Sequence, residues 1–326
     1  VRFFIVTLIE VYIYLLFNFR IKILSTSKAR EITTFAEMKF LLIKNFIINQ
    51  FNNKYKYYYN IMIKILSWNI VSLRAILKKN NIIENKKLVK NTFENFIKKY
   101  DFDILCLQEI KLCKDTINVL LEILPEYPYK YYNIPHTKKG YSGVAIISKI
   151  KPESFSIKFD DILGRYLKVK FKKFYLINLY ATNAGPNLER LNDKHEFNKK
   201  FYLKMQKLKD KKETIIVGDF NAIHTEIDSY DFKKHYNKLA GVTDIEITDF
   251  NKLINNGFIN VFRELYPKKK QYSYFTYRWP SRTSNKGLLI DFALTTKKIF
   301  KKVKNIKYLD DIYGSDHLPL LLELNI

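Results

Sequence analysis

From residue 62 onward the chain repeats one device, a short apolar run that leads into, or follows, a carboxylate, an amide or a histidine. Residues 63–68 run into Asn69, residues 104–107 pass through Gln108 to Glu109, and residues 175–179 end at Tyr180 with Asn183 just beyond. Residues 214–217 meet Gly218, Asp219 and Asn221, residues 288–290 meet Asp291, and Ser315-Asp316-His317 precedes the run 318–324. Short apolar runs bounded by turn residues are typical of strands buried along their length. A polar group at the end of such a strand costs free energy unless metal, partner charge or substrate satisfies it. Six strand ends of one chemical kind therefore predict the rim of a single site.

Helical patterns lie between the runs. Residues 86–100 place Leu88, Phe93, Phe96 and Ile97 on one face, and residues 188–211 space Phe197, Phe201, Met205 and Leu208 at helical intervals. Both precede a strand, which predicts helices packed on a sheet. Residues 141–148 and 166–174 read as hairpin-like neighbours of 175–180, so the sheet is expected to be mixed. Two halves, 62–180 and 181–326, each with a sheet and flanking helices, would build a four-layer α/β sandwich of two packed mixed β-sheets. No internal sequence repeat supports the division.

Composition narrows the function classes. The 326 residues are 47% hydrophobic and 16% aromatic, enough for a large core, which excludes a disordered polyelectrolyte. Cys106 and Cys113 are too few for a disulfide framework or a closed four-ligand zinc site, so a reducing compartment is expected. The net charge of +25 permits a polyanionic partner. It does not require one, because an A+T-rich coding sequence would enrich Lys, Asn, Ile, Tyr and Phe whatever the function.

Residues 1–61 read as a leader. Residues 3–17 are apolar apart from Thr7 and Glu10, and basic, Asn-rich sequence follows. With Glu10 near its middle, the apolar stretch falls short of the ~20 residues of a membrane span. The pattern predicts a poorly ordered targeting extension, import into an organelle (mitochondrion or plastid, with the nucleus as the alternative), and a catalytic unit of residues 62–326 that works alone, without stable membrane association.

The strand ends belong to ordered motifs: Leu66-Ser67-Trp68-Asn69, Leu105-Cys106-Leu107-Gln108-Glu109-Ile110-Lys111, Gly140-Tyr141-Ser142-Gly143 and Tyr180-Ala181-Thr182-Asn183-Ala184-Gly185 with Arg190-Leu191. Gly218-Asp219-Phe220-Asn221, Ile290-Asp291-Phe292 and Gly314-Ser315-Asp316-His317 complete the series. In this order and spacing, the chain from about Ile63 to the C-terminus resembles the exonuclease III family of apurinic/apyrimidinic endonucleases, within the endonuclease/exonuclease/phosphatase superfamily. The resemblance implies Mg²⁺-dependent hydrolysis of the phosphodiester 5′ to an abasic site in duplex DNA during base-excision repair, with Mn²⁺ as an alternative ion. It also implies 3′→5′ exonuclease or 3′-phosphodiesterase activity on the same site, and a monomer.

Hydrolysis of a phosphodiester brings an anionic nucleophile to an anionic phosphorus, so such a site must neutralise growing charge and hold water in line. Hard oxygen ligands suit Mg²⁺. The resemblance assigns Glu109 as principal metal ligand with Asn69 beside it, and Asp219 as base or water-orienter, with Asn221 binding water or phosphate and both within reach of the metal. It pairs His317 with Asp291, which would fix its tautomer and favour imidazolium. Asp316 is either a second metal ligand or a structural acceptor. Tyr180 is a phosphate or leaving-group contact, and Asn183, Lys111, Tyr141, Arg278, Trp279 and Leu288 are implied substrate contacts. His136, His195, His224 and His235 read as ordinary surface or core residues.

Three positions depart from the family pattern. Val71-Ser72 stands where an acidic or amide residue and Gly are usual, Pro186 replaces a basic residue, and Leu288-Leu289 replaces Trp-Arg before Asp291. The segment 272–282 is rich in aromatics that suit either core packing or a wedge in damaged duplex. Two alternative functions follow: another phosphoesterase of the superfamily acting on RNA or phospholipid, or a catalytically weak DNA-binding paralogue.

Overall fold

The computed structural model describes residues 62–78, 82–84, 87–89, 93–136, 138–159, 162–276 and 281–326. The expected leader, residues 1–61, and the tip residues Arg278 and Trp279 lie outside the described residues. The strands are β1 (Met62–Asn69), β2 (Ile82–Glu84), β3 (Lys87–Val89), β4 (Ile104–Gln108), β5 (Tyr129–Asn133), β6 (Val144–Ser148), β7 (Ser154–Ser156), β8 (Tyr166–Lys170), β9 (Tyr175–Tyr180), β10 (Thr214–Asp219), β11 (Phe258–Asn260), β12 (Asp291–Thr296), β13 (Val303–Tyr308) and β14 (Leu320–Asn325). The helices that matter below are α1 (Phe93–Tyr100), α2 (Leu191–Lys209) and α3 (Asp244–Asn255).

Two six-stranded mixed sheets, ordered β13-β14-β1-β4-β6-β5 and β11-β12-β10-β9-β8-β7, form the two inner layers. Strand β1 shows why both faces of a sheet are covered. Ile63 and Ile65 join the core between the sheets, while Leu66 and Trp68 join a second core with Phe93 and Phe96 of α1. Side chains of a strand alternate in direction, so apolar residues on both faces demand a partner layer on each side. In α2 the expected face, Phe197, Phe201, Met205 and Leu208, is buried on the second sheet.

The sheets do not follow the two halves expected from the sequence. Strands β13 and β14 return to the first sheet, whereas β7, β8 and β9 belong to the second. Strand β6 pairs with β4 and β5, and only β8 is the antiparallel neighbour of β9. The apolar pattern identifies a strand but carries no information about its hydrogen-bond partner. The helix expected from residue 86 starts at Phe93, after a short hairpin of β2 and β3. Leu88 belongs to the hairpin.

Each sheet is centred on a parallel pair, β1 with β4 and β9 with β10, whose C-terminal ends come to the same edge as the starts of the antiparallel strands β14 and β12. Asp291 opens its strand directly opposite Asp219, and is not the end of a run over 288–290. A polar bridge joins the two sheets just below this edge. Asn178 of β9 donates to the carbonyls of Leu107 and Ala145 at 3.0 and 2.8 Å, and accepts from Gln108 Nε2 at 2.6 Å. Replacing it by Leu strands these buried groups, so Asn178→Leu is expected to lower stability by about 2–4 kcal/mol in urea unfolding. A loss below about 1 kcal/mol would refute that accounting. Among the described residues no helix is long and apolar enough to cross a membrane.

Candidate active site

The strand ends converge at the edge just described. Gly218 reaches it with φ +139 and passes so close to β9 that a Cβ would sit 1.9 Å from the Leu179 carbonyl, which explains Gly before Asp219. Asp219 is buried, and its Oδ1 accepts the Asn221 backbone N–H at 2.8 Å, closing a turn that holds Asn221 at φ +48. Across the gap between the sheets, Asn69 Nδ2 lies 3.0 Å from both Glu109 Oε1 and Asp219 Oδ2, so one amide ties a carboxylate of each sheet to the other. The Asn69 oxygen accepts from the Val71 backbone N–H at 3.0 Å. Glu109 itself stands at φ +52, a left-handed conformation that ordinary residues adopt mainly where surroundings enforce it.

Electrostatics divide the groups. Burial works to raise the Glu109 carboxyl, but the Asn69 hydrogen bond and the Lys111 ammonium, 2.9 Å away, outweigh it and hold Glu109 below the usual carboxylate range. Asp219 is raised, first by burial and then by the Asp291 charge, with His317 pulling the other way. Burial also disfavours the His317 cation, yet the Asp291 carboxylate, 2.8 Å from its Nδ1, overrides this and pushes the imidazole up to about 10. His317 is therefore a cation at neutral pH. Its Nε2 faces Asp219 Oδ2 at 3.9 Å.

Asp291 is itself held. It accepts from Ser273 Oγ at 2.6 Å, and that hydroxyl in turn accepts the backbone N–H groups of Ile290 and Asp291 at 3.1 Å. On the other side, Asn183 donates to Asn221 Oδ1 at 2.8 Å and accepts the Gly185 N–H at the same distance. Tyr180 donates to Glu109, and its hydroxyl is raised well above the ordinary tyrosine range by burial and then by the Glu109 charge.

These groups open into a cleft of about 560 Å³ lined by Glu109, Tyr141, Tyr180, Asn183, Asp219, Asn221, Leu288, Asp316 and His317 among others. Asn69 and Asp291 lie buried behind it, and Lys111 reaches it through Glu109. Asp219, Asp291 and His317 bring possible ligand atoms within 4.8 Å of one another, a cluster that could hold a divalent metal ion only with His317 deprotonated; beside the His317 cation, the carboxylates of Glu109 and Asp316 are the hard oxygen donors the same cleft offers.

The match of residues 66–317 to the endonuclease/exonuclease/phosphatase family covers every one of these side chains. The chain belongs to that family. It is 33% identical over 268 residues to the DNA repair nuclease APEX1 of Danio rerio, covering 81% of this chain and 82% of the relative. It is 31% identical, again over 268 residues, to an exodeoxyribonuclease of Bacillus subtilis, covering 81% of this chain and all of the relative. The fold overlays that of the AP endonuclease LMAP of Leishmania major with a TM-score of 0.72 at 23% identity, over 81% of this chain and 88% of that one.

Sequence reasoning left several site residues unassigned. Arg165 is buried in the cleft wall, its guanidinium 4.6 Å from the centre of the Tyr180 ring and its Nη2 3.4 Å from the Tyr141 hydroxyl. In a lysine-rich chain, an arginine opening a strand was the available signal. Ser273 carried none. Of the ambiguous aromatics, Tyr272 and Phe275 are core, whereas Tyr274 packs its ring 5.0 Å from His317 and lines the cleft. His224, pushed down to about 4 by burial and then by the Arg263 charge, is an ordinary half-buried residue bonded to Asn260 and packed on Phe250. His235 is nearly buried, hydrogen-bonds Ser229 Oγ at 2.8 Å and contributes to the cleft wall.

Proposed function

We propose that this protein is a Mg²⁺-dependent endonuclease that hydrolyses the phosphodiester 5′ to an abasic deoxyribose in duplex DNA, leaving a 3′-hydroxyl and a 5′-deoxyribose phosphate. The observation that carries this reading is the meeting, in one cleft, of a depressed carboxylate, a raised carboxylate and a histidinium drawn from chain positions 109, 219 and 317. Groups pushed in opposite directions by their surroundings are what acid–base chemistry at neutral pH requires. The relatives' names, DNA repair nuclease and exodeoxyribonuclease, concern the same class of substrate.

Glu109, with Asp316, would hold the ion, which supplies neutralisation of charge on a phosphate oxygen. Asp219 takes the proton of the attacking water, and Asn221 orients that water against the phosphorus. The His317 imidazolium donates to a non-bridging phosphate oxygen as charge accumulates there, while Asp291 and Ser273 fix its orientation. Tyr180 and Asn183 border the leaving oxygen. Leu288, with Ile290, gives the cleft an apolar floor suited to a sugar that lacks its base. A 3′→5′ exonuclease or 3′-phosphodiesterase reaction uses the same groups. The complete reacting set favours an enzyme over a silent DNA-binding paralogue.

The test is incubation with a labelled duplex carrying one tetrahydrofuran abasic analogue. A single cut 5′ to the analogue, dependent on Mg²⁺ and abolished by EDTA, is expected. Faster turnover of poly(A) or of bis(p-nitrophenyl) phosphate would transfer the protein to another branch of the superfamily.

A further inference from the structure

Lys194, in α2, is wholly buried, which is rare for lysine unless its charge is matched. The reaction set out above gives it no part. Its ammonium donates to the carbonyl of Phe220, the residue between Asp219 and Asn221. Burial draws its pKa down to about 8, so it is charged at neutral pH. Glu246 is the carboxylate that does most to retain that charge, followed by Asp219 and Asp249, with Arg165 opposing.

Glu246, in α3, is also wholly buried. Its Oε2 accepts from the Gly241 N–H and the Thr243 hydroxyl, both at 2.8 Å, and from the Thr243 N–H at 3.3 Å. Gly241 belongs to the cleft wall, and its carbonyl accepts the Ile223 N–H at 2.8 Å. Glu246 makes no ion pair with Lys194 within 4.0 Å and its Oε1 has no hydrogen-bond partner, so it acts on the ammonium through space, while its Oε2 holds the Gly241 loop beside the turn that carries Asp219 and Asn221.

We infer that Lys194 is a positioning residue for the incision reaction: its ammonium, countered by Glu246, pins the Phe220 carbonyl and thereby fixes where the Asp219 and Asn221 side chains stand. This rests on the function proposed above. The turn needs such an anchor because Asn221 is held in the left-handed region, where a released backbone relaxes away. Displacement of a reacting group by about 1 Å costs on the order of 10²-fold in rate.

Two variants of the full chain separate positioning from bulk stability. Lys194→Met leaves the Glu246 carboxylate buried without its countercharge and should lower the melting temperature. Lys194→Met with Glu246→Gln removes both charges, and its melting temperature should return toward the wild-type value. If Lys194 positions the turn, kcat on the abasic duplex stays down roughly 10–100-fold in the double variant with KM changed less than about threefold. Hydrogen exchange of the 219–222 amides should then be roughly tenfold faster than in the wild type. A double variant that recovers both its melting temperature and its kcat overturns the inference, as does unchanged exchange at the turn. A wild type inert on abasic DNA would instead sink the functional reading, and the exchange measurement would still decide the role of Lys194.

Discussion

Asp219→Asn is expected to slow incision of abasic DNA by about 10²–10⁴-fold while leaving the protein at least as stable as the wild type at pH 8. The amide keeps an acceptor for the Asn221 N–H but cannot take a proton from water. It also sets one NH₂ group against that of Asn69, a lost hydrogen bond that costs about 1 kcal/mol. Against this stands the removal of a carboxyl whose ionisation is disfavoured in the folded protein, by burial and by Asp291. The sign follows from linkage. A carboxyl raised above its unfolded value of 3.8 adds stability at low pH and loses it as pH climbs through the folded value. The variant's gain over wild type, measured as melting temperature in EDTA, should therefore be larger at pH 8 than at pH 5. Near-normal single-turnover cleavage by purified Asp219→Asn would remove Asp219 from the role of base.

The convergence of these side chains was more legible in the sequence than the pairing of the strands that carry them. Asn69, Glu109, Asp219, Asn221 and His317 could be named because each occupies the mouth of an apolar run, where a polar residue has no packing reason to be. That the runs form two packed mixed sheets could be read, but which run joins which sheet, and in what order, could not. Strands β6 and β8 have equally apolar inward faces, and only the folded chain shows that they belong to different sheets. Asp291 is instructive in a different way, because the run before it was read as the strand while the strand begins at Asp291 itself. An antiparallel strand brings its first residue to the edge where a parallel strand brings its last, so both readings place the carboxylate at the same rim. Residues that act through others left the weakest trace. Ser273 and Lys194 lie in segments whose pattern is fully explained by packing, and their roles emerge only from what their polar atoms touch.

The mutual dependence of these groups makes Asp291→Asn the sharper experiment. An asparagine oxygen still accepts from His317 Nδ1 and preserves the tautomer, so geometry is largely retained while the charge that holds the imidazolium is lost. With Asp291 present, the His317 proton is retained up to about pH 10, against an ordinary value of 6.5. The stability it contributes is fully present below pH 6.5 and is lost as pH rises toward 10. Without Asp291 the imidazole should lose its proton at a lower pH, because burial lowers it and only the Asp219 and Asp316 charges remain to oppose that. The loss in kcat is therefore expected to grow with pH, from roughly tenfold at pH 6 to about 10²–10³-fold at pH 9, as one preorganised donor to the phosphate disappears. Neutralising Asp291 simultaneously relieves the like charge that raises Asp219, which by itself would extend activity to lower pH. The two effects thus move the acid and alkaline limbs of the kcat profile in the same direction, toward lower pH. A uniform loss across pH 6–10 would instead mean that Asp291 only orients His317 and that the cation is not what the phosphate meets.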